Sequence, residues 1–227
     1  MPYDVVKRFE AKLCEYTGAP YAVAVNSCSM ALLLAVGWHL RDHRLHEMYG
    51  SSHQVDPEIE IPKRTYVSVP MSIIHAGGRP TFRDEEWRGA YQLKPLPVWD
   101  SARSFNSGMF NQITAGEVLL RNEAYPKPLN KMLCISFHAS KILGDTQGGA
   151  ILHDSPEADA WFRRARFDGR TEGVAPKDDT FTQVGWHCYI SPDVAARLLL
   201  KLHSLPKHND PLPNDEYPNL SLMEIFK

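Results

Sequence analysis

The sequence predicts an α/β fold in which a mostly parallel sheet is covered by helices. Short β-prone runs at 21–25, 59–61, 79–82, 96–100, 132–137 and 150–152 alternate with stretches whose apolar residues recur at the helical period. Glycine or proline punctuates the boundaries, as at Gly18, Gly77-Gly78, Pro156 and Gly169. Several of the runs lead into turns of small or hydroxyl residues. In such folds, sites form at the carboxyl ends of strands.

The elements follow in order. Residues 3–16 place Val5, Val6, Phe9 and Leu13 at helical spacing and stop at Gly18. A strand at 21–25 runs into Asn26-Ser27-Cys28-Ser29, and 30–40 is a strongly apolar helix. Strand, hydroxyl-rich turn and helix together aim free backbone N–H groups and the positive end of a helix dipole at one spot, which makes an anion site. An ordinary N-cap by Ser27 or Ser29 is the alternative. The polar stretch 41–54 follows, and His39, His43, His46 and His53 lie in and beside it. Three of them can share a helix face, but no carboxylate or cysteine joins them, so a solvated or subunit-facing helix end is preferred to zinc. Asp56-Pro57 breaks the chain. A strand at 59–61, a turn at 62–66, a helix at 67–75 and a strand at 79–82 come next, before the strand ending at Asp100. Residues 104–131 read as a long connection with one short helix near 115–120. Helices at 155–167 and 193–202 flank a polar loop at 171–182, and the chain turns Pro- and Asn-rich after Ser204.

Composition narrows the function classes. The 227 residues, 43% hydrophobic and 23% charged, suffice for one sizeable core, and the net charge of −2 gives no electrostatic case for nucleic acid or an anionic membrane. No stretch approaches the roughly 20 apolar residues of a membrane span, and the start lacks the regions of a signal peptide. A cytoplasmic location is expected. The four cysteines lack metal-type spacing, which argues against a zinc site or a disulfide framework.

Two residues stand out chemically. Lys141 lies in the turn Ser136-Phe137-His138-Ala139-Ser140-Lys141-Ile142-Leu143-Gly144, between two buried-looking strands. Poor solvation there would lower its pKa and make its amine a nucleophile toward a carbonyl. A solvated turn lysine is the alternative. Asp100 ends a buried-looking strand, where a carboxylate is costly unless it meets a cation or strong donor, or else caps Ser101-Ala102-Arg103.

Several separated stretches, in order and over nearly the whole chain, resemble one family. Tyr21-Ala22-Val23-Ala24-Val25-Asn26-Ser27-Cys28-Ser29-Met30-Ala31-Leu32 resembles the "avavsSGTaAL" segment of the DegT/DnrJ/EryC1/StrS sugar aminotransferases. Pro62-Lys63-Arg64-Thr65-Tyr66 with 76–82 resembles "PxxTF…aGakPvF", and Trp99-Asp100-Ser101-Ala102-Arg103 resembles "eDaAQ". Ser136 to Lys141 resembles "SFHxxK", Gln147-Gly148-Gly149-Ala150 "eGGa", 166–170 "lRshGr", and 185–196 "GyNyRmsdlqAA". The resemblance implies a three-layer α/β/α large domain of pyridoxal-phosphate fold type I over residues 1–203, with 204–227 a short tail and the family's small C-terminal domain absent.

It also implies roles. Lys141 would hold the cofactor aldehyde as an internal aldimine, a Schiff base, and move the Cα proton. Asp100 would pair with the pyridine nitrogen, and Tyr66 would stack on the ring. Cys28, Ser29 and Ser136 would serve the phosphate. His187 stands where the family has an asparagine that reaches the phosphate of a neighbouring subunit, which implies a homodimer with a shared site. Arg103 replaces the usual glutamine near the cofactor's 3′-oxygen, Cys28-Ser29 replaces Gly-Thr, and Gln147 replaces Glu. The implied activity moves an amino group from an amino acid, with glutamate the expected donor, to a keto or aldehyde sugar, possibly nucleotide-linked. The alternatives are a non-catalytic, cofactor-binding or dimerising relic and, ranked last, a sugar dehydratase, a branch that carries histidine where this chain has Lys141.

Overall fold

The structure, a computed structural model, describes residues 3–41, 56–113, 130–214 and 216–227. The expected helix near 115–120, and His43, His46 and His53, lie outside them. Helix α1, Asp4–Thr17, buries Val6, Phe9 and Leu13 and ends where Gly18 takes a left-handed φ of 77°, its N–H bonded to the Cys14 carbonyl. Strand β1, Tyr21–Val25, leads into α2, Cys28–Leu40, which starts two residues before the sequence expectation because the Ser27 hydroxyl accepts the Met30 N–H at 3.2 Å. Leu32, Leu33, Leu34, Ala35 and Val36 are all buried, so α2 is a core helix rather than an amphipathic one. Then come β2 (Glu58–Pro62), α3 (Ser68–His75), β3 (Arg79–Arg83), β4 (Tyr91–Leu93), β5 (Val98–Asp100) and the short α4 (Met109–Gln112). The chain continues with β6 (Met132–Ser136), β7 (Gly149–His153), α5 (Pro156–Ala165) and α6 (Pro192–His203). Strand β4 and helix α4 were not expected from the sequence.

The main sheet has the order β1-β7-β6-β5-β4, and the parallel pair β2-β3 adjoins it where Glu60 and Lys94 exchange two backbone hydrogen bonds. Strands β1, β6, β5, β2 and β3 therefore run one way, and β7 and β4 run against them. The expected parallel character holds for strand direction. The two reversed strands nevertheless make their own ladders antiparallel.

Alternation along the strands builds two cores. On one face Val23, Met132, Cys134, Ile151 and Val98 meet α2, α3 and α5; on the other Ala22, Leu133, Ile135, Leu152 and Trp99 meet α1, α4 and α6. The sheet thus lies between two helical layers. At its outer edge, β1 is closed by side chains rather than by another strand. The buried Glu10 carboxylate accepts the Ala24 N–H at 2.9 Å, and buried Arg166 donates to the Ala24 carbonyl at 2.7 Å while pairing with Glu10 and Glu172.

The segment after α6 is held against the turn that follows β5. The Ser107 N–H donates to Lys207 O and the Leu212 N–H to Arg103 O, and Asn214 donates to the Trp87 carbonyl. The Leu220 N–H reaches Lys63 O, which brings the segment to the β2–β3 pair. No helix among the described residues is long and apolar enough to cross a membrane.

Candidate functional site

The carboxyl ends of β1, β5 and β6 converge. Pairing of β5 with β6 sets Asp100 opposite Cys134, two residues before Ser136. Beyond Ser136 the chain makes the Lys141 turn, in which the Lys141 N–H donates to the His138 carbonyl at 2.8 Å. Gly144 permits this fold-back, since a Cβ there would lie 2.7 Å from Ala139 O and 2.8 Å from Lys141 O. Asp145 fastens the turn: it is buried, its N–H donates to Phe137 O, and its carboxylate pairs with Arg197 at 2.9 Å and Lys201 at 3.0 Å on α6. Hydrogen bonds from Arg197 lead the causes that hold its carboxyl well below the usual range.

Gly148 and Gly149 join this turn to the α2 start. Ser27 bridges to Gly148, and a Cβ on Gly149 would meet Cys28 N and Ser27 C at 2.5 Å each. Only a glycine allows β7 to pass this close beneath the free N–H groups at the head of α2.

Asp100 is 5% exposed. Its Oδ1 accepts the Ala102 N–H at 2.9 Å and its Oδ2 accepts the Tyr91 hydroxyl at 2.8 Å. Burial pushes its carboxyl above the usual range, against the pull of these two donors and of the Lys141 and Arg103 charges. Burial also raises the Cys28 thiol far above its ordinary value, the Asp100 charge adds to this, and Lys141 opposes it. A carboxylate, an amine and a neutral thiol at the head of a helix therefore share one electrostatic environment. Such a place suits a ligand with an anionic end and a basic nitrogen.

The remaining residues expected at the site are variously placed. Ser29 donates its hydroxyl to Ser68 Oγ at 2.7 Å, tying α2 to α3. Ser136 Oγ accepts the His138 N–H at 3.3 Å. Tyr66 is 59% exposed, next to buried Thr65, in the turn between β2 and α3. Arg103 is buried and directed to the C-terminal segment, where it donates to Tyr217 Oη at 3.0 Å and to the Pro213 carbonyl. His187 has a 71% exposed side chain and contacts Asp168 at 2.8 Å and the Tyr189 ring. Among the described residues, no group of three or more His, Cys, Asp or Glu side chains is placed to hold a metal ion.

Sequence reasoning missed Tyr91, Thr65 and Asp145. For Asp145 a signal existed, because Arg197 and Lys201 are four residues apart on one helix face. Tyr91 had none, lying in a three-residue strand.

Residues 1–95 match the sequence model of the DegT/DnrJ/EryC1/StrS aminotransferase family. No curated protein matches the chain. Among solved structures, it is similar to DesV of S. venezuelae, determined with a ketimine intermediate (20% identity, TM-score 0.61, covering 88% of this chain and 57% of that one). It is also similar to the sugar aminotransferase CalS13 of Micromonospora echinospora (16%, TM-score 0.68, 89% and 61%). A third is PseC of Helicobacter pylori, an aminotransferase involved in pseudoaminic acid biosynthesis (17%, TM-score 0.63, 88% and 57%). These likenesses establish the fold. The chain spans about three fifths of the length of each of these structures.

Proposed function

We propose that the chain is a pyridoxal-phosphate-dependent aminotransferase of the DegT/DnrJ/EryC1/StrS type, moving an amino group from glutamate to a keto or aldehyde sugar, possibly nucleotide-linked. The observation that carries the reading is the convergence of Lys141, buried Asp100 and the head of α2 within a chain whose first 95 residues match that family. The donor set fits the cofactor: a buried carboxylate for a protonated ring nitrogen, an amine for an aldehyde, and a helix start for a phosphate. When bound, the cofactor supplies an electron sink for a carbanion at the amino donor's Cα.

The chain's own residues supply the rest. Asp100 holds the proton on the ring nitrogen, and the Ala102 and Tyr91 donors keep its carboxylate oriented. The Lys141 amine would hold the cofactor through its aldehyde carbon, the aldehyde oxygen leaving as water, and, when free, would take the Cα proton and return it. The backbone N–H groups of Cys28 and Ser29, with the Ser29 and Ser136 hydroxyls, bind the phosphate. Tyr66, exposed, covers one face of the ring. Arg103, anchored through Tyr217 and Pro213, would supply a cation to the cofactor's 3′-oxygen. His187 serves the phosphate of a second subunit in a homodimer, and its exposure leaves it accessible to a partner.

The test is the visible spectrum of the cofactor-loaded protein on addition of glutamate. Loss of the bound cofactor's visible absorbance band with release of 2-oxoglutarate is the expected result. No change with glutamate or any other amino donor would instead favour a cofactor-binding or dimerising module.

A further inference from the structure

Asp100 is served by a side chain outside every motif that singled it out. Tyr91 lies directly opposite Asp100 in the β4–β5 register, so both side chains leave the same face of the sheet. The Tyr91 hydroxyl lies 2.8 Å from Asp100 Oδ2 and 2.5 Å from Thr65 Oγ1. Tyr91 is 4% exposed and Thr65 1%, and the Trp87 and Tyr91 rings pack in a T-shaped contact with centroids 4.6 Å apart. A phenol has one proton. With it given to the carboxylate, the Thr65 hydroxyl must donate to the phenolic oxygen, so the chain of donors runs from Thr65 through Tyr91 to Asp100. Burial, the leading cause, with the Asp100 charge adding to it, raises the Tyr91 pKa far above its ordinary value, so the phenol stays a donor.

We infer that Tyr91 is a positioning residue which, through one hydroxyl, fixes both the Asp100 carboxylate and the Thr65-Tyr66 turn. This inference rests on the proposed role of Asp100. Under that role the two tethered groups hold the cofactor ring by its nitrogen and by its face, and Tyr91 keeps their spacing before the ring arrives. The titratable and charged groups around Asp100 are Tyr91 on β4, Cys134 on β6, Cys28 on α2, Lys141 in the turn after β6 and Arg103 in its own turn. Tyr91 donates a hydrogen bond to Oδ2 at 2.8 Å. Its hydroxyl stabilises the ionised carboxylate, and losing a bond to a charged group in a buried site raises that group's proton affinity about tenfold or more.

The experiment compares Tyr91→Phe, Thr65→Val, Thr65→Ser and Asp100→Asn. The ionisation of Asp100 is followed in the cofactor-free protein by NMR of carboxyl-labelled aspartate, with Asp100→Asn as the assignment. Pyridoxal phosphate affinity is measured across pH in parallel. Tyr91→Phe should raise the Asp100 midpoint by about one pH unit, a tenfold change in proton affinity, and weaken cofactor binding increasingly as pH falls. Thr65→Val should do the same more weakly, and Thr65→Ser, which keeps the hydroxyl, should behave as wild type. An unchanged midpoint and pH profile in Tyr91→Phe would overturn the inference, whatever its effect on melting temperature. If Asp100→Asn itself binds the cofactor as wild type does, the proposed role of Asp100 fails, while the midpoint in Tyr91→Phe still decides whether Tyr91 governs the carboxylate.

Discussion

Gly149→Ala concentrates the geometric argument into one methyl group. The added Cβ would sit 2.5 Å from Cys28 N and 2.5 Å from Ser27 C, whereas ordinary contact begins near 3.4 Å. Both neighbours are backbone, so no side chain can swing aside. Strand β7 is also held on its two sides by β1 and β6, with Gly149 opposite Val25 and Ser136. The head of α2 must therefore rise, or β7 must bow. Overpacking of this kind costs about 1–3 kcal/mol, and the rigidity of both partners places the expected loss near the upper end, roughly 3 kcal/mol. In a chain of this length that lowers the melting temperature by about 6–12 °C. The displaced N–H groups are those assigned to the phosphate, so cofactor affinity should fall about tenfold in addition. Urea denaturation and equilibrium cofactor binding measure the two effects. An alanine variant with wild-type stability and wild-type affinity would refute the close approach of β7 to the α2 start.

Glu10→Gln should cost about 1.5–3 kcal/mol in denaturant midpoint analysis, because it removes one of the two carboxylates that pair with buried Arg166 and leaves Glu172 as the other. A loss under about 0.5 kcal/mol would show that Glu172 alone satisfies Arg166. Asp145→Asn should destabilise at pH 7 through loss of the Arg197 and Lys201 pairs. The folded pKa of Asp145 is depressed, so its contribution is full above the unfolded value of about 4 and fades as pH falls toward the folded one. Wild-type and variant stability should converge in acid, and a gap that persists there would assign the effect to packing. His187→Ala should weaken both cofactor retention and dimerisation in sedimentation with and without the cofactor. A stable, fully loaded monomer would remove His187 from the site.

Much of the candidate site's framework was legible because its groups sit where local patterns end. Ser27 follows a β-prone run and precedes an apolar helix, Asp100 closes a buried strand, and Lys141 lies in a turn that Gly144 folds back. What escaped was held by contacts distant in sequence. Strand β4 is three residues long, too short for alternation to show, and it exists through pairing with β5 and the Glu60–Lys94 bridge. Arg103 was expected near the cofactor from its motif alone. Its contacts with Pro213 and Tyr217, over a hundred positions away, follow from the packing of a Pro-rich segment without periodicity. The early start of α2 had a simpler origin: of two serines able to cap, Ser27 is the one that does.

The central claim is that Lys141 is the amine that bonds the cofactor. Borohydride reduction of the pyridoxal-phosphate-loaded protein, followed by proteolysis and peptide mass mapping, tests it directly. The account predicts that the reduced cofactor is found on the peptide containing Lys141 and that Lys141→Ala gives no trapped cofactor while remaining folded. Capture on a different lysine, or none in fully reconstituted wild-type protein, would contradict it.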